Sequence, residues 1–230
     1  MPEPDHGSAT RRTRAALVAL TLAALAVAAA AVGMRRMLLM SAPSCLSGRW
    51  HGCYDTENGV VLMTLLALPV AAAVAWGLTR RRRAAGVPDA ARRSVAEVGL
   101  VHGTLPWLWL TLMPGAAAGT TNRSVVLVPL TDLPTWGTLG IVGNLLVFAP
   151  LGFFGPLRFA ALASLPRVLA LGAACSLVIE TAQYVLRLDR VSSVDDVLVN
   201  ATGALLAGLA SRPWWRRRPD PVDSSAISTP

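Results

Sequence analysis

Residues Ile141–Gly208 read IVGNLLVFAPLGFFGPLRFAALASLPRVLALGAACSLVIETAQYVLRLDRVSSVDDVLVNATGALLAG. The apolar runs Thr138–Leu157, Val168–Leu186 and Val194–Ser211, the last ending three residues beyond this stretch, are each long enough to cross a hydrocarbon core of ~30 Å at about 1.5 Å per residue. They nevertheless carry Asn144, Glu180, Gln183, Asp195, Asp196 and Asn200, with Arg187 and Arg190 between the last two runs. A polar or ionisable side chain costs about 2.5–3.5 kcal/mol at the middle of a bilayer helix on insertion scales, so such a cluster faces a protein interior or a wet cavity. The polar set therefore marks where the protein works.

The rest of the chain agrees with a membrane setting. Of 230 residues, 53% are hydrophobic and 15% charged, too little polar surface for a soluble domain of this size. All 21 basic residues are Arg, and most stand at the ends of apolar runs, which is a topology signal rather than a nucleic-acid stripe; no nucleic-acid partner is expected. Upstream lie a run at Ala15–Met34, a second at Gly59–Thr79 and a third at Val95–Met113, the last holding Glu97 and His102. A lone His in a helix is more often a packing residue than a ligand. The expected architecture is an all-α, polytopic bundle of about six transmembrane helices.

The expected segments are a polar N-terminal stretch at 1–14 and two N-terminal spans with their loop and linker at 15–94. They continue with the main membrane domain at 95–212 and a basic, disordered tail at 213–230. The first span exceeds the apolar length of a signal peptide and is expected to stay uncleaved. Pro129 lies in VVLVPL, which is too short to span and is expected at the interface or dipping back toward the helices. With the N-terminus inside, fifteen arginines fall on the cytoplasmic side and six on the other, so both termini are expected in the cytoplasm and the loop 35–58 outside the inner membrane. In that compartment Cys45 and Cys53 can close a small disulfide ring, two free thiols being the alternative. Three scattered cysteines do not make a metal cluster.

In that topology Asn144, Glu180 and Asn200 each fall six residues from an outer helix end, about 9 Å below the surface. Glu180, Gln183 and Arg187 share a helical face, as do Asp196 and Asn200. The short connection Leu188–Ser193 makes the last two spans antiparallel neighbours and is expected to bring Arg187 and Arg190 toward Asp195 and Asp196. Glu180 can serve as a general acid or base, as half of an ion pair, or as a hydrogen bond between helices. Asp195 and Asp196 can hold a divalent cation with Asn200 and Glu180, or simply occupy the first turn of a helix capped by Ser192 or Ser193. The arginines argue against a cation and for an anionic ligand such as a phosphate. Ala204 and Gly208 form a small-xxx-small face that allows close helix approach.

The combined pattern of GNLLVFAPLGFFGPL with SLVIETAQYVLRLDRVSSVDDVLVNATGALLAG resembles the VanZ-like family, whose namesake is associated with glycopeptide (teicoplanin) resistance. The resemblance falls on Asn144, Phe148, Pro150, Leu151, Gly152 and Phe153, then on Ser176, Ile179, Glu180, Gln183 and Arg190, and finally on Asp195, Asp196, Asn200, Gly203, Ala204 and Gly208. It implies a small integral membrane protein, with no firmly assigned reaction, in which Pro150, Gly152, Gly203 and Gly208 are structural. No Ser-His-Asp arrangement, zinc motif or P-loop names a chemistry, and no metal or cofactor is expected. The expected role is a non-enzymatic one in the bacterial cell envelope. An outward-facing pocket would bind an anionic, lipid-linked cell-wall precursor among membrane lipids; the alternative is an intramembrane enzyme or proton-coupled transporter using Glu180.

Overall fold

The computed structural model describes residues 39, 43, 45, 50–120 and 124–215. The expected first span and both terminal tails lie outside these residues. Two compact units divide the chain between Met63 and Thr64. In the first, Cys45 and Cys53 form a disulfide with their Cα atoms 4.6 Å apart, the bridged form of the two sequence alternatives. Thr56 caps the helix that follows, its hydroxyl accepting from Gly59 N at 3.0 Å and donating to the Gly52 carbonyl at 2.5 Å.

That helix, α1 (Glu57–Ala84), is followed by α2 (Ala90–Leu112), strand β1 (Ser124–Val126), α3 (Thr138–Val147), α4 (Ala149–Arg158), α5 (Leu165–Leu186), strand β2 (Val191–Ser193) and α6 (Val194–Ser211). Among the described residues four stretches are long and apolar enough to cross a membrane: Glu57–Ala84, Thr138–Arg158, Leu165–Leu186 and Val194–Trp214. They match four of the six expected spans. The expected third span, Val95–Met113, falls largely within a helix of 23 residues, Ala90–Leu112, which is not among the four. The fold is mostly helical, and β1 and β2 add to it a two-stranded parallel ladder pairing Ser124 with Val191 and Val126 with Ser193. VVLVPL thus neither spans nor lies free: its first residues are β1.

Helix α6 is the centre of the second unit and packs on α5, α4 and α3, while α2 packs on α4. In lipid there is no solvent to drive helices together, so close van der Waals contact and buried hydrogen bonds must do it. The glycines supply that contact. A Cβ at Gly203 would strike the backbone carbonyl of Leu145, and one at Gly152 the backbone carbonyl of Ala204. On α2, a Cβ at Gly99 would meet the Phe154 ring and one at Gly103 would meet Pro150 at 2.6 Å. Gly152 and Gly203 thus mark backbone-to-backbone approaches, whereas Gly208 faces the Val168 side chain and the Pro150 ring faces Gly103.

Pro150 also breaks the second of the four spans, Thr138–Arg158. It has no N–H to give the Leu146 carbonyl, so the ladder of α3 stops and the chain bends at Phe148, which is 1% exposed. Phe148 joins Val147, Val168, Ile179 and Ala204 in the apolar core. By contrast Leu66, Val70, Trp76, Val101, Leu177, Val178 and Leu206 are exposed along the helices. A continuous apolar exterior of this kind suits contact with lipid, where every backbone polar group is satisfied inside its own helix.

Candidate functional site

The site grows from the turn between α5 and α6. Helix α5 ends with Arg187 in the left-handed conformation at φ 54°, the Leu188 N–H reaching back to the Gln183 carbonyl at 3.1 Å. This is the closing bond of a Schellman motif, made here without glycine. Arg187 accordingly leaves the helical face of Glu180 and Gln183 on which the sequence periodicity puts it. Asp189 is left-handed too, at φ 59°, and its carboxylate accepts from Ala117 N at 2.9 Å. Gly115 N and Gly119 N donate to the carbonyls of Leu188 and Arg187, so the chain after α2 is laid along this turn.

Each buried polar side chain of the sequence cluster has a definite task. Glu180 accepts from Ser193 N at 3.0 Å, and its own carbonyl accepts from the Ser192 hydroxyl at 2.9 Å. Of the three sequence alternatives for Glu180, the geometry is that of the hydrogen bond between helices, here joining α5 to the strand that starts α6. Gln183 donates to the Thr111 carbonyl at 2.8 Å and ties α5 to α2. Asn200 donates to the Ser176 hydroxyl at 2.8 Å and ties α6 to α5. Ser193 caps α6 by accepting from Asp195 N at 3.2 Å.

Asp195 is 1% exposed and does more than start a helix. Its Oδ1 accepts from Leu130 N at 2.6 Å, and its Oδ2 from Asp132 N and Leu133 N at 3.0 Å each. One carboxylate thus gathers three backbone donors of the irregular segment before α3, including Leu130 at φ 64°. An anion surrounded by three aligned amides needs no guanidinium. Arg190 donates to the Leu110 carbonyl at 3.3 Å. Its positive charge is close enough to act on Glu180 and on Asp196.

What Asp195 holds in place is one wall of a pocket of about 400 Å³. Asp132, Thr135 and Trp136 come from the gathered segment, Gly140 and Asn144 from α3, Val191 and Ser193 from β2, and Asp196 from α6. Asn144 and Asp196 are the two members of the sequence cluster that line it. Glu180, Gln183, Asp195 and Asn200 form the bonded layer that supports it rather than the lining. Asp132, Thr135 and Trp136 do not enter the sequence cluster; the only sign of them is a carboxylate and a tryptophan within a stretch broken by Pro129, Pro134 and Gly137.

Chemically the lining offers two carboxylates, an amide, two hydroxyls and an indole. These are hydrogen-bonding and ring-stacking groups, and the volume lies within the ~300–1,000 Å³ of small-molecule sites. Among the described residues no group of three or more His, Cys, Asp or Glu is placed to hold a metal ion. Ion pairs among the described residues lie away from this site: Glu97 is shared by Arg82 and Arg158 at 2.5 Å each, and Arg92 stands 3.9 Å from Asp89.

No curated protein and no solved structure matches the chain. The VanZ/LLP1 family model matches residues 101–215, half of the chain, and that stretch takes in every residue that lines the pocket. With its apolar helices and this match, the chain is a membrane protein that belongs to the VanZ/LLP1 family.

Proposed function

We propose that the protein acts in the bacterial cell envelope without catalysing a reaction, its pocket opening outward and holding the polar head of a lipid-linked cell-wall precursor. The observation that carries this reading is the lining itself: Asp132, Asp196 and Asn144 beside Trp136, with Arg190 at the neighbouring position to Val191. Carboxylates and an amide accept and donate to the hydroxyl and amide groups of a sugar, whose ring packs on an indole. Two carboxylates would repel a phosphate inside the pocket. The anionic part of such a ligand is therefore placed at the rim, on the exposed Arg190. The arginine excess favours the outward orientation. Occupancy of the precursor, or altered display of it, would lower glycopeptide access, teicoplanin included.

Glu180 supports this reading rather than proton transfer. Its carboxylate is buried, accepts from Ser193 N and does not line the pocket. The test is teicoplanin susceptibility in a deletion strain complemented with wild type, Asp196→Asn, Trp136→Ala or Arg190→Ala at matched membrane levels. Wild type is expected to raise the inhibitory concentration and each variant to lower it again. Equal susceptibility of all strains, with the protein present, would remove the resistance role.

A further inference from the structure

At the opposite end of α2 from the Gln183 contact lies a second, smaller concavity that the pocket above does not involve. It has a volume of about 100 Å³ and is lined by Arg92, Arg93, Pro156, Leu157, Arg158 and Ala160. We propose that this cleft binds a phosphate-bearing anion at the membrane surface, as a phospholipid headgroup or as free phosphate.

Three arginines converge on one small cleft, none of them fully exposed, and no carboxylate lines it. Such a concentration of cations is unfavourable unless neutralised. The neighbouring acids do this only in part. Glu97 is already divided between Arg158 and Arg82, and Asp89 stands 3.9 Å from Arg92, beyond hydrogen-bond distance. Among the described residues Arg93 enters no ion pair. Arg92 donates to the Trp214 carbonyl at 3.0 Å, yet its Nε is buried with no hydrogen-bond partner. A buried guanidinium donor without an acceptor costs free energy, so the protein's own groups do not fully satisfy Arg92.

Position adds to the argument. Arg92 and Arg93 sit in the first turns of α2, which has no acidic residue in its first turn. The helix dipole disfavours cations there and favours an anion, so the arginines are placed for something that the anion rewards. Phe159 and Trp214, both about half exposed, flank this end, as Trp76 does on α1 with Arg80 4.8 Å over its ring. Aromatic side chains at that level mark the headgroup region, where basic pockets between helices meet anionic lipids. A guanidinium fork matches two phosphate oxygens, and Arg93, which enters no ion pair among the described residues, is placed to offer one.

The experiment uses the full chain in detergent micelles and native mass spectrometry, with phosphatidylglycerol, phosphatidylcholine or inorganic phosphate as the probe. Wild type is expected to retain phosphatidylglycerol over phosphatidylcholine or to bind inorganic phosphate; preference for the lipid assigns a headgroup, and binding of phosphate without lipid preference assigns the free anion. Arg92→Gln with Arg93→Gln is expected to reduce that binding about tenfold or more. Arg83→Gln, on α1 and not among the residues that line the cleft, is expected to leave it unchanged. Because Arg92 also bonds Trp214, Arg93→Gln alone is the second variant, with elution volume and helicity checked. Wild type that neither prefers phosphatidylglycerol over phosphatidylcholine nor binds inorganic phosphate, or an equal loss in Arg83→Gln, overturns the proposal.

Discussion

Asp195→Asn is the most informative single change, because it keeps the shape of a side chain that holds three backbone amides. In the wild type Oδ1 faces Leu130 N, and Oδ2 faces Asp132 N and Leu133 N. An asparagine has one oxygen, so however its amide is turned at least one N–H confronts an NH₂ group. Two of the three bonds survive at best, and they lose the strength that a charged acceptor gives. Loss of one charge-assisted bond corresponds to about a 10- to 100-fold change in the equilibrium for lifting the segment off α6. Hydrogen exchange followed by mass spectrometry on micellar protein reads this directly. Peptides covering 128–136 are expected to exchange faster by that factor, while peptides from the middle of α5 and α6 keep their protection. Asp132 and Trp136 ride on the same segment, so ligand binding in the pocket should weaken with it. Unchanged exchange at 128–136 in a folded Asp195→Asn variant would refute the claim that this carboxylate organises the pocket wall.

Three other outcomes follow from the packing. Gly203→Ala places a methyl group against the Leu145 carbonyl and is expected to cost about 1–3 kcal/mol, read as a lower unfolding midpoint; the same substitution at Gly143, where the space around Cβ is open, should cost far less. Ser176→Ala removes the acceptor of the Asn200 amide at a position 0% exposed, and should destabilise by about 1–3 kcal/mol in denaturant titration. Pairing it with Asn200→Leu should recover part of that loss, and strict additivity of the two would argue against the bond. Cys45 and Cys53 should resist maleimide in membranes until a reductant is added, and labelling of both without reduction would contradict the bridge.

Much of this architecture is legible in the residues. Apolar runs about 18–22 residues long leave only membrane-spanning helices as a way to satisfy the backbone, and Gly203, Ala204 and Gly208 at helical spacing announce a close-packed face. Glu180, Gln183, Asp195 and Asn200 stand out because ionisable and amide groups are costly in such runs. The α2 boundary and the break at Phe148 are harder, since a proline may end or only kink a helix, and the outcome depends on what packs there, here Gly103 against Pro150.

What the sequence determined by itself is a helical membrane domain with a polar cluster, because periodicity, length and the expense of burying charge are local properties. Which of those polar groups line the pocket was decided by tertiary structure alone. Asp132, Thr135 and Trp136 reach the pocket only because Asp195, more than sixty residues away, collects the amides of Leu130, Asp132 and Leu133. Arg187 leaves its expected face because α5 ends in a left-handed turn one residue earlier than the helical period requires. A backbone N–H carries no side-chain signature, so a site assembled from main-chain donors appears only once the chain has folded.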